Sequence, residues 1–191
     1  MKIRSLVIAL ALTAAASAPT MPRASASQLA SGSIEFAPMV SFSHSNFKRE
    51  GYGNVETVTE LNVTPTVGYC LSNHYEVTGG FLIRHQSDNG NSDTALGASA
   101  GLIYNFSRTG GVIPYASFGF GALFYDGFSL DETAVLAPMI GGGIRVLVGS
   151  SASVNMNLAY QHEGNANGEF NASANRVVAG VGVSLFPWPK R

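Results

Sequence analysis

The residues best suited to chemistry cluster late in the chain, where Tyr160, Gln161, His162, Glu163, Gly164, Asn165 and Ala166 are followed by Glu169 and Ser173. A histidine can act as a base and a serine as a nucleophile, but covalent hydrolysis needs hydroxyl, base and orienting group together. His162 supplies the base. Ser173 and Glu169 fall in a polar connection whose shape the pattern does not set. A second run, HQSDNGNSD at 85–93, places Asp88, Asn89, Asn91 and Asp93 around Gly90. Oxygen ligands around a glycine suit calcium, yet the spacing departs from the EF-hand and its closing glutamate is missing, so the run reads as a solvated loop. The four histidines are scattered without metal-site spacing, and no glycine loop precedes a helix to cradle phosphate. The expectation is a non-enzymatic chain with no metal and no cofactor, in which His162 is the weak catalytic candidate.

What would position these residues follows from composition and periodicity. The 191 residues are 46% hydrophobic and only 12% charged, with 22 glycines, whereas soluble domains carry about 25% charge. After the N-terminus no run offers the roughly 18 unbroken apolar residues of a spanning helix, so the hydropathy is spread out, as alternation spreads it. At the N-terminus Lys2 and Arg4 precede LVIALALTAAA, and Ala24, Ser25 and Ala26 offer the small residues of a peptidase site. Residues 1–26 are therefore expected to be a cleaved secretory signal and 27–191 the mature domain. Losing Lys2, Arg4 and Arg23 leaves 8 bases against 12 acids, a net charge of −4. That argues against a nucleic-acid partner, which calls for a basic face. The single Cys70 excludes an internal disulfide and reads as a small core residue.

Eight stretches of period-two alternation follow, separated by turn-rich runs. They lie at about 33–43, 57–71, 75–85, 94–106, 112–125, 133–148, 154–162 and 176–186. One phase is apolar throughout and carries Phe36, Val40, Leu61, Val63, Phe81, Leu102, Phe118, Phe120, Ile140, Ile144, Leu158, Val181 and Val183. It holds no Lys, Arg, Asp or Glu. The other phase is mostly Gly, Ser, Asn and Thr, with Glu35, Glu60, Glu76, Arg84, Arg145 and Arg176 among them. A soluble sandwich would put Lys and Glu on its exposed phase. Apolar residues facing lipid and small polar ones filling a crowded interior predict an all-β fold, an eight-stranded antiparallel up-and-down transmembrane barrel. Such a barrel is just wide enough for its side chains to fill, so the six inward charges are expected to pair across a plugged lumen. A narrow, gated ion path is the alternative.

The connections alternate between short (72–74, 107–111, 149–151) and longer and more polar (48–56, 86–93, 126–132, 163–175). Three turns and four loops place both termini at the turn end, the periplasmic side of such barrels. Tyr69, Tyr75, Tyr104 and Phe106 lie near the turns, and Phe42, Phe124 and Tyr160 near the loops, as two aromatic girdles. Pro38, Pro65, Pro114 and Pro138 each delete a ladder donor on the lipid phase, where bulges or ends of pairing are expected.

The signal, the eight alternating segments and the glycine-rich strands resemble the small outer-membrane β-barrel superfamily that includes the OmpA transmembrane domain, OmpX and the opacity proteins. The likeness covers about residues 32–188. It implies the outer membrane of a Gram-negative bacterium, insertion by the barrel-assembly machinery, and contact with outer-membrane lipid and lipopolysaccharide. It also implies a structural or adhesive role through the loops, whose ligand the sequence does not name, with a small-solute channel as the alternative. Such barrels tend to end on an aromatic residue, whereas here Phe186 and Trp188 are followed by Pro189, Lys190 and Arg191. Residues 160–166 further resemble the His-x-Ser-Asn-Ala signature of the barrel lipid A deacylases, in which a wall-mounted His and Ser, aided by a Glu, hydrolyse an acyl ester. Gly164 stands at the Ser position and no Glu stands in the next segment, which opens at Arg176. His162 is therefore read as a rim residue where the strand enters the fourth loop, with a deacylase as second alternative.

Overall fold

Alternation becomes strand throughout the computed structural model, which describes residues 29–48, 55–88, 91–106, 111–125, 134–149, 151–165 and 173–187. The strands are β1 (Ile34–Phe36), β2 (Met39–Lys48), β3 (Val55–Thr64), β4 (Thr66–Cys70), β5 (Tyr75–Asp88), β6 (Asn91–Asn105), β7 (Val112–Tyr125), β8 (Ala134–Val148), β9 (Ala152–Asn165) and β10 (Ser173–Leu185). β1 and β2 are one stave interrupted at Pro38, and β3 and β4 one stave interrupted at Pro65, so ten strands make eight staves. Each stave pairs antiparallel with its sequence neighbours, and β10 pairs with both β2 and β1 to close the cylinder. A closed sheet leaves no edge with unmet backbone groups, which is the condition for crossing hydrocarbon with strands.

The pleat sorts the side chains. All thirteen apolar residues singled out above point outward, with Phe81, Ile140 and Phe118 more than 60% exposed. The opposite phase is buried, and it holds glutamates and arginines. A water-soluble protein would have these two faces the other way round. At the turn end the ring of Tyr104 stands 5.1 Å from Tyr75 and 5.1 Å from Phe106, and 5.7 Å from the stacked imidazole of His74. Amphipathic rings of this kind suit the boundary between hydrocarbon and headgroup.

Several boundaries differ from the sequence expectation, and in one direction. β5 runs on to Asp88, which pairs directly with Asn91 of β6. The oxygen-rich run is therefore a continued hairpin rather than a long loop, and Asn89 and Gly90 alone lie outside the described residues. β9 likewise runs to Asn165 and β10 starts at Ser173, which puts Glu163 in the wall and not in a loop. The reason is that backbone pairing needs no apolar side chain. The outward phase turns polar beyond the hydrocarbon, and the alternation that marked the strand fades before the ladder does.

The prolines produce no bulge. Pairing of the first two staves is Phe36 with Val67 on one side of the break and Met39 with Thr64 on the other, the same register. That register sets Pro38 opposite Pro65. The Pro38 carbonyl accepts from Val183 N (3.3 Å) and the Pro65 carbonyl from Phe81 N (3.1 Å), so each proline fails only to return one bond to its outer neighbour. Pro114 lies near the start of β7, where its carbonyl accepts from Phe106 N at 3.0 Å. At Pro138 the β8–β9 ladder lapses between Leu136↔Gly164 and Met139↔Gln161 without a slip. The expected signal, with its cleavage before Ser27, and residues 188–191 lie outside the described residues.

Candidate functional site

The inward charges of the polar phase assemble into two layers. Moving from turn end to loop end, β5 presents Glu76 and, eight residues on, Arg84, about 27 Å of strand at the usual rise. β9 presents Asn155 and then Gln161 and Glu163, and β10 presents Ser184 and then Arg176. Each of these three staves thus contributes to a turn-end layer and to a loop-end layer.

In the turn-end layer Arg145 forks between two carboxylates. Its Nη1 donates to Glu35 Oε2 at 2.8 Å and its Nη2 to Glu76 Oε2 at 2.8 Å, while its guanidinium lies 5.5 Å from the Tyr115 ring centroid. Ser184 donates to the other oxygen of Glu35 and receives a bond from the Asn155 amide. Room for this comes from glycine. A Cβ at Gly68 would collide with the Glu76 carboxylate, and one at Gly143 with the Met156 carbonyl and the Tyr115 ring.

The loop-end layer is a four-membered lattice. Arg84 Nη2 reaches Glu163 Oε1 at 2.6 Å, and its Nε lies 3.4 Å from Glu60 Oε2 and 3.0 Å from Asn62 Oδ1. Arg176 pairs with Glu60 through Nη1 and with Glu163 Oε2 at 2.8 Å. Ser43 Oγ donates to Glu60 at 2.9 Å and Gln161 Nε2 to Glu163 at 2.6 Å. Every one of these charged side chains is at most 5% exposed. Charges so buried are tolerable only when they are matched, and here each meets an opposite charge from another stave.

Between the layers lies a cavity of about 160 Å³ walled by Gly101, Gly119, Gly121, Ser99, Ser117 and Met139, among others. Below the turn-end layer Leu29, Cys70, Ile113, Leu147 and Phe186 pack into an apolar cluster, none more than 2% exposed. Side chains therefore occupy the lumen at several heights among the described residues.

All six predicted inward charges fall in these layers: Glu35, Glu76 and Arg145 in one, and Glu60, Arg84 and Arg176 in the other. Glu163 is the member that sequence reasoning missed. Its parity, shared with Asn155, Asn157 and Gln161, was the available signal.

His162 stands apart, on the outer wall. Its Nδ1 lies 2.8 Å from Asn175 Oδ1, which also accepts from Tyr160 Oη at 2.7 Å. Asn175 is the direct cross-strand partner of His162, so it orients the imidazole. Gly164, two residues on, brings no hydroxyl. The wall thus holds an oriented base, and the position two residues on lacks the nucleophile that acyl transfer requires.

No protein-family profile matches this sequence, and no curated protein matches it. Solved structures do resemble it. Neisserial surface protein A is 15% identical over 79% of this chain and 96% of its own, with a TM-score of 0.54. Ail, the attachment invasion locus protein of Yersinia pestis, is 15% identical over 81% and 99%, with a TM-score of 0.48. The outer membrane enzyme PagL is 15% identical over 74% and 97%, also at 0.48. The chain shares the fold of the small eight-stranded outer-membrane barrels.

Proposed function

We propose that this chain is a non-enzymatic outer-membrane protein of a Gram-negative bacterium, an apolar belt that anchors polar surface loops for adhesive or structural contacts. Outer-membrane lipid and lipopolysaccharide are its surroundings, and the barrel-assembly machinery is its partner during insertion. The observation that carries this reading is the doubly ion-paired lumen. A porin needs a water-filled interior, whereas seven buried charged side chains among the described residues are ion-paired across the bore. What remains accessible among the described residues is the outer wall.

The test is reconstitution of the full chain. A heat-modifiability gel of the membrane fraction is expected to show a folded band that shifts on boiling, and planar bilayers are expected to show no reproducible single-channel steps. Steps of constant size in the wild-type protein would turn the reading to the small-solute channel. The oriented His162 favours one further alternative, a lipid A deacylase-like esterase. Fatty acid released from lipopolysaccharide by the wild type and abolished by His162→Ala would establish it in place of the anchor.

A further inference from the structure

The apolar cluster at the turn end has no part in the ion-paired layers, yet it is buried as fully as they are. Cys70 closes β4, Ile113 opens β7, Leu147 lies at the end of β8 and Phe186 follows β10, so four staves converge there. The fifth member, Leu29, belongs to no stave. It lies ahead of β1, on a segment that reverses at Gly32, whose φ of 81° is the left-handed region that favours glycine. The reversal is pinned. Gly32 N donates to the Cys70 carbonyl at 2.7 Å, Cys70 N to the Ser33 carbonyl at 3.0 Å, and Ser31 bonds Asn73 Oδ1 and the Leu71 carbonyl at 3.1 and 3.0 Å.

We propose that Leu29 is a stopper: an N-terminal side chain latched into the turn end of the lumen, which makes the cavity above it a blind chamber and not part of a pore. The cavity itself suits water. Arg145 Nε and Asn157 Oδ1 have no hydrogen-bond partner among the described residues, and both residues line it. Water held there would serve polar groups of this kind, while the five apolar side chains beneath offer it nothing. The chamber is wet and the base is dry.

The inference rests on the closed-lumen reading, and Cys70, the single thiol of the chain, reports on it. The full-length protein is reconstituted and treated with a charged, membrane-impermeant methanethiosulfonate. Wild-type Cys70 is expected to stay unmodified while the protein remains heat-modifiable. Leu29→Ala is expected to react at least tenfold faster, Leu29→Ile to stay protected, and Gly32→Val, which strains the latch while leaving every side chain of the cluster in place, to react like Leu29→Ala. Removing the loop-end pair with Arg84→Ala and Glu163→Ala should leave Cys70 protected, because the stopper still stands. Protection in both Leu29→Ala and Gly32→Val, or exposure by the loop-end pair with Leu29 intact, would overturn the stopper. Single-channel steps in the wild type would instead overturn the closed lumen as a whole. Should the loop-end pair fail to fold, the Leu29 and Gly32 variants decide alone.

Discussion

Arg145 holds two buried carboxylates at once, and that geometry sets an asymmetry that mutation can read. Replacing it with Met leaves Glu35 and Glu76 facing each other with no cation, so Arg145→Met should cost about 3–5 kcal/mol, the range for orphaning a buried charge. Glu76→Gln removes one of two partners and leaves Arg145 bonded to Glu35 at 2.8 Å, so its cost should be the smaller. Urea unfolding in lipid, followed by the heat-modifiable band, ranks the two. The opposite order would mean that Glu76, not Arg145, is the centre of the layer. The same logic bears on Glu163, which serves both Arg84 and Arg176. Glu163→Gln should destabilise at least as much as Glu60→Gln, although only Glu60 lies inside the strands read from sequence.

At the scale of the strand, the facing prolines are the clearest departure from an ideal wall. Pro38 and Pro65 accept one bond each from β10 and β5 and return none, so the Val183 and Phe81 carbonyls lack the reciprocal donor that every other residue type would supply. Pro38→Ala and Pro65→Ala should each stabilise the barrel by about 1 kcal/mol, the net worth of a typical hydrogen bond, less the unfolded-state entropy that the ring had removed. Unfolding midpoints measured singly and together check this. A loss of stability in both would show that the break is accommodated in a way that the register does not reveal. Strand ends carry a second lesson. β5 and β9 extend past the apolar alternation because the ladder is made by backbone, and the last turns of pairing are furnished by Ser, His, Asn and Gln.

For the whole molecule, the decisive property is that one sheet closes on itself with its apolar face outward. An outward charge should then be punished by lipid and not by packing. Ile140→Arg, at a position 62% exposed, would be nearly neutral on a soluble protein. On this barrel it should cost about 2–4 kcal/mol if the site lies near the bilayer midplane. The measurement is unfolding in bilayers, and a neutral outcome would remove the belt. Closure also explains why the lumen is filled: eight staves enclose a bore just wide enough for side chains, and the Arg–Glu layers occupy it.

The alternation by itself determined the two faces, because the period of a strand is two and any residue's parity fixes the side on which it stands. That made the belt, the count of staves and six of the seven inward charges found among the described residues legible before any coordinate. Tertiary structure alone decided the rest. Parity places a charge inside but says nothing of its height, and Glu35 meets Arg145 across 110 positions only because closure and register bring β1 and β8 to the same level. Glu163 escaped notice because its outward neighbours had already turned polar, and Leu29 because a residue that lies ahead of the first strand belongs to no periodic pattern at all.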